Sequence, residues 1–417
     1  MTSFVSFYNY LNDNIKNLSS IHSIKDKSIL LLSKNTLTDI TYNILLPLHI
    51  FELNDIIGIH NNNVNYIKEL SNGLFISGSQ KKLIVYNNSF KREYEISINN
   101  NYIYEIKNIK NDYIEVLICS DESIKLLKIQ KNYDYSIREY KEIEIRVCFQ
   151  FNNDFIICNK KGIFQINDFL SFIKNSNEQE IINKSYWNGI KLNCQIIALT
   201  SNKYLLNGED KILFFNNNSR HVVKSIENYS FSLSQNNLVL MSIEGIDRTT
   251  EKDDKNKILL CGCKKYKEGQ KNGILSLKLD LKDNFNILSQ TFYETKNFEV
   301  YCLCPIFNIE KDIFIFNKKP KRIETEYFLV GGFNPKIKQG LIKLYKVNYN
   351  KENFENTEIE YIKDIEIKSN KRGNKFDGFE GNITCIIQSK YNGNILITCS
   401  DGKVYSFKNP NINLSEN

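Results

Sequence analysis

Two pairs of cysteines, Cys261-Gly262-Cys263 and Cys302-Leu303-Cys304, are the nearest approach to a metal-binding pattern in this chain of 417 residues. On an extended strand the two thiols of each pair point to one face, as a shared ion would require. A four-thiolate zinc site separates its paired ligands by about two to four residues, and each pair here is separated by one. Cys119, Cys158 and Cys399 stand, like Cys261, near the ends of apolar runs. Packed core thiols are the expectation, with no metal and no cofactor. The histidines, His22, His49, His60 and His221, lie at the margins of apolar runs. None carries the flanking pattern of a nucleophile, base and carboxylate. Gly331-Gly332 lacks the following helix and Lys-Ser/Thr of a phosphate-cradling loop. No catalytic residue is expected, and the chain reads as a non-enzyme. The sharpest basic cluster is Lys318-Lys319-Pro320-Lys321-Arg322. It reads as a contact for an acidic partner, a nuclear import signal or a solvated loop.

These residues must be held by strands. Aromatic residues make up 12% of the chain and isoleucine recurs throughout, a strand-forming composition. With 5 prolines, turns must rely on Asn, Asp, Gly and Lys. The net charge of +7 is spread over interspersed signs, too weak without a patch to point to nucleic acid. No apolar run approaches the ~18 residues of a membrane span, and the first residues lack a secretory pattern. The cysteine usage suits a reducing compartment. The expectation is a soluble intracellular chain, cytoplasmic or nuclear.

The clearest hairpin is 393–407, where Ile395-Leu396-Ile397 runs into a turn at Ser400-Asp401-Gly402 and restarts at Val404, Tyr405 and Phe407. Related hairpins turn at Gln80, Asp121 and Glu209. Others are less regular, with long connections at 244–256, 264–272, 310–326 and 333–339. Further short apolar runs precede and follow the hairpins. The result is a unit of four strands recurring about every 40 to 50 residues. Eight units can be counted, with seven the fallback.

On these residues the chain resembles the WD40-repeat family. Ser400-Asp401-Gly402 is similar to that family's inner hairpin turn, with Tyr405 and Phe407 near its tryptophan position. Gly58-Ile59-His60, with Val64 four residues after the histidine, resembles its Gly-His element, and Gly378-Phe379 is similar with the histidine replaced. The chain departs from the family in lacking a Trp-Asp dipeptide, and its one tryptophan, Trp187, is expected in a loop. Asn370-Lys371-Arg372-Gly373 does not match the phosphoinositide motif of related propellers. The resemblance implies an all-β propeller of four-stranded antiparallel blades over 20–408, between an N-terminal segment at 1–19 and a tail at 409–417. The last unit lacks a fourth strand, so Ser3–Tyr8 is expected to supply it or to form a short helix. The implied function is a non-enzymatic scaffold for protein–protein interactions in a multiprotein assembly. The alternative is a propeller that binds a polyanion, nucleic acid or an anionic headgroup, through its basic loops.

Overall fold

The computed structural model describes residues 50–70, 73–97, 256–265, 271–280, 286–310, 321–349, 354–368, 376–390 and 392–408 continuously. At 18–24, at 28–33 and between 102 and 242 it describes strands only. The strands form six four-stranded antiparallel sheets, one five-stranded sheet and a two-stranded ladder. The ladder pairs Leu18–Ile24 with Ser28–Ser33.

Burial explains why the inner strands read as continuous apolar runs. Ile395–Cys399 and Phe75–Ser79 are buried at every position, whereas an outer strand such as Glu358–Asp364 is exposed at all but one. A strand covered on both faces has no polar side to present. Alternate residues then go to opposite neighbours. Ile76, Leu83 and Val85 pack with Leu127 and Ile129 of the 102–141 sheet. Phe75, Ile84 and Tyr86 pack instead with Cys385, Leu396 and Val404 of the five-stranded sheet. That sheet's other face, with Ile395, Ile397 and Phe407, meets Cys302, Cys304 and Leu329 of the 299–364 sheet. Val300, Phe328 and Val330 continue the packing to Ile258 and Leu260.

Polar ties lock these faces in register. The Gln388 amide makes a two-way bond with the Phe307 backbone, accepting from its N–H at 2.9 Å and donating to its carbonyl at 3.0 Å. Thr384 donates to the Val64 carbonyl at 2.5 Å, and Glu69 accepts from the Lys390 N–H at 2.7 Å. Tyr293 Oη accepts from the Ile359 N–H at 3.1 Å, and the Lys278 ammonium donates to the Glu355 carbonyl. The buried Gln388 amide thus gains partners on the neighbouring sheet, where an unmet one would be costly.

The five-stranded sheet departs most from the sequence reading. Its strand beside Lys403–Lys408 is Ile50–Ile59, antiparallel, with bulges after Leu53 and Ile56. Ser3–Tyr8 lies outside the described residues. Glu366–Lys368 adds to the same strand in parallel at Ile50 to Glu52.

The expected WD40-like β-propeller is not what the chain builds. The protein is mostly β-strand, but its sheets are not set radially as four-stranded blades, and one curls into an open half-barrel. Among the described residues the first counted unit gives the two-stranded ladder, and the last sheet has five strands, one of them parallel. The physical reason is that a period-two pattern specifies which faces are covered. It does not specify the angle between neighbouring sheets, and ring closure depends on that angle. Trp187 also differs from expectation, lying in a strand opposite Ile163.

Leu53 is 2% exposed and Ile56 is 41% exposed on the same strand. Leu53→Ala is therefore expected to cost about 2–5 kcal/mol, and Ile56→Ala within about 0.5 kcal/mol. Equal denaturation midpoints for the two variants would show that this strand does not hold the core.

Candidate functional site

One nucleophile–base pair stands out among the described residues. His60 follows the Ile50–Ile59 strand, and its N–H donates to the Gly402 carbonyl at 2.7 Å. That bond aims the ring at the first inner hairpin. His60 Nε2 lies 2.8 Å from Ser77 Oγ, which lies 2.8 Å from Tyr86 Oη. Gly58 makes room for the tyrosine, since a Cβ there would stand 2.0 Å from Tyr86 Oη.

The arrangement has the atoms of a hydrolytic dyad and lacks its access. Ser77 and Tyr86 are fully buried and His60 is 3% exposed. His60 Nδ1 has no hydrogen-bond partner, so no carboxylate orients the ring as a triad requires. Burial, then the charges of Lys82 and Arg92, lower the His60 pKa to about 4. Burial likewise pushes the Tyr86 phenol far up. The three side chains form a neutral strut between the Ile50–Ile59 strand and the neighbouring sheet. Sequence inspection marks His60 but not Ser77 or Tyr86. The signal for Ser77 is the Ser77-Gly78-Ser79 interruption of an apolar strand.

The turn at Ser400-Asp401-Gly402 is built from its own side chains. Asp401 Oδ1 accepts from the Lys403 N–H at 2.8 Å, and Oδ2 accepts from Tyr405 Oη at 2.7 Å. Ser400 Oγ accepts from the Asn382 N–H at 2.8 Å. Gly402 has φ of 88°, which favours a residue without a Cβ. Burial and the Asp401 carboxylate raise the Tyr405 pKa far above its ordinary value. Of the other turn residues, Gln80 is exposed, while Asp121 and Glu209 lie outside the described residues.

Lys318 and Lys319 also lie outside the described residues. Lys321 and Arg322 belong to the Lys321–Asn334 strand, opposite Glu310 and Ile309. Part of the expected 310–326 loop is therefore strand. In the 264–272 connection, Lys264 pairs with Glu299 at 3.1 Å and Lys271 with Glu294 at 2.9 Å. Cys261, Cys263, Cys302, Cys304, Cys385 and Cys399 are free and buried. Burial pushes the Cys385 thiol up to about 11 and the Cys399 thiol up to about 12. Among the described residues no three His, Cys, Asp or Glu side chains are placed to hold a metal. Among them, too, no helix is long and apolar enough to cross a membrane.

No family model matches the chain, and no curated protein matches it. A crystal structure of Chaetomium thermophilum Raptor shares its backbone path, with 12% identity and a TM-score of 0.50. The match covers 86% of this chain and 29% of that one. At that identity the likeness is one of fold and does not extend to activity or partners. The WD40 membership suggested by the turn and Gly-His residues is thus corrected. With it go the WD40 scaffold role and the polyanion-binding alternative, which required a propeller to present the loops. The pairing of Lys264 and Lys271 with carboxylates further removes part of the basic surface that alternative needed.

Two predictions follow from this geometry. Asp401→Ala leaves the Tyr405 hydroxyl and the turn amide without their acceptor, at a cost of about 1–3 kcal/mol. Lys403→Ala should cost less, and equal midpoints in chemical denaturation would reduce Asp401 to a surface turn residue. The second concerns pH. Folded protein keeps His60 neutral down to about pH 4, whereas the unfolded chain protonates it near its ordinary value of about 6.5. Stability from this group is complete above that value and is lost as pH falls from 6.5 through 4. The loss is on the order of 3 kcal/mol. Stability curves from pH 7 to 4 should therefore be flatter for His60→Gln than for the parent, and parallel curves would contradict the buried neutral imidazole.

Proposed function

We propose that this chain works by binding another protein and performs no chemistry of its own. The observation that carries this reading is the contrast between interior and rim. The one Ser–His pair among the described residues is sealed inside as a strut. Large apolar side chains meanwhile stand exposed on strand edges and a hairpin tip: Ile56, Ile59, Ile337, Tyr361 and Ile362. Scattered exposed apolar residues are common on any surface. Here they sit on sheets packed on both faces, which supply the rigid support that a recognition surface needs. The reading needs neither a closed ring nor a polyanion. The six free thiols among the described residues are buried and favour a reducing compartment, and we place the protein in the cytoplasm, with the nucleus as the alternative.

The test uses the full chain in two assays. A fluorophosphonate probe under native conditions should leave Ser77 unlabelled, because the probe cannot reach a buried hydroxyl. Affinity capture followed by reconstitution from purified components should return a protein that co-elutes in fixed ratio. Stoichiometric labelling of Ser77 would replace this proposal with a hydrolytic one. Failure of every captured protein to reconstitute would remove protein binding.

A further inference from the structure

We propose that the hairpin tip at 335–338, with the nearby end of the Ile50–Ile59 strand, docks an acidic protein segment carrying one apolar anchor residue. This rests on the protein-binding reading above and adds where the partner binds and what its chemistry is.

The tip is a rigid presenter. Its flanking strands stay in register to the last pair, Asn334 with Gln339. Asn334 Oδ1 accepts from the Lys336 N–H at 3.0 Å. Lys338 has φ of 55°, a left-handed conformation uncommon outside glycine and retained here at the head of the turn. The base of the hairpin is pinned to the neighbouring sheet, with the Gly340 N–H donating to the Phe379 carbonyl at 3.1 Å. A Cβ on Gly340 would lie 2.3 Å from the Gly381 carbonyl oxygen, so this approach is as close as backbones allow. Ile337 is consequently held outward at 53% exposure, on a turn that its own contacts keep from folding back.

A second apolar residue stands at the same end of the sheets. Ile59, 63% exposed, pairs in register with Lys403. Lys403 bridges to Glu380 at 3.2 Å, and Glu380 adjoins Phe379, the residue that receives the hairpin base. The hairpin base and the Ile59–Lys403 pair are thus joined through the adjacent residues Phe379 and Glu380.

Charge selects the occupant. Glu380 is engaged by Lys403 at 3.2 Å, and Lys403 also lies 3.8 Å from Asp401. Lys336 and Lys338, on either side of Ile337, are exposed and have no carboxylate partner among the described residues. An exposed apolar side chain between two unmatched ammonium groups is complementary to an apolar residue flanked by Asp or Glu. A nucleic acid would leave the isoleucine unused. Two isoleucines and two unmatched lysines fall short of the combined apolar and basic signals that hold a protein to a bilayer.

The experiment selects displayed random dodecapeptides against the full chain, then measures the affinity of the enriched peptides by fluorescence anisotropy. Ile337→Asp and the double change Lys336→Glu with Lys338→Glu are compared with the parent. Ile137→Asp, on the outer strand Tyr135–Lys141 of a different sheet, is the control. All four positions are exposed, and unchanged denaturation midpoints confirm the fold. Enriched peptides should carry acidic residues around an apolar one. They should bind about tenfold or more weakly to both tip variants, equally well to the control, and more weakly as salt rises. Enriched peptides that bind the tip variants as well as the parent would overturn this surface while leaving protein binding intact. No enriched peptide at all would overturn the surface and count against the binding reading itself. In a parallel arm, phosphatidylserine vesicles bound by the parent and released by the tip changes would make the occupant a membrane and overturn the proposal.

Discussion

The arrangement depends on one pairing, between Ile50–Ile59 and Lys403–Lys408. These strands are separated by most of the chain, so joining them carries a long-loop entropy cost that local contacts do not relieve. What offsets it is burial: Phe51 and Leu53 enter the cluster formed by Tyr405, Phe407 and the neighbouring 299–364 sheet. Two bulges let the strand bend there, so His60 arrives under the Gly402 carbonyl. The hydrogen bond of His60 to Ser77 depends on that arrival, and so does the depth at which its imidazole is kept neutral.

Polar side chains tie adjacent sheets to one another. Gln388 on Phe307, Thr384 on Val64, Glu69 on Lys390 and Tyr293 on Ile359 each join adjacent sheets through at least one backbone group. Apolar faces alone would let sheets slide, because burial is non-directional. A directional bond to a fixed backbone atom selects one register. This is why the chemistry-bearing side chains described in the interior do structural work.

Exposed apolar residues occur where that packing ends. Ile337 stands on a turn whose backbone is fixed from both sides, and Ile59 stands where the pairing with Lys403 stops. A partner meeting these groups finds them already ordered, which lowers the entropy cost of association.

The sequence by itself determined the strands and tight turns, because alternation, apolar runs and Asp-Gly turn chemistry are encoded within a few residues. The 393–407 hairpin and the acceptor role open to Asp401 were legible for that reason. The tertiary structure alone decided what stands beside what. Nothing near Phe407 in sequence names Ile50–Ile59 as its neighbour, and nothing near His60 names Ser77 and Tyr86. The angles between sheets were equally hidden, so a four-strand repeat suggested a propeller that the chain does not form. A face pattern states that a side chain must be covered. Which residues cover it, and at what angle, is set by long-range packing between segments that share no local signal.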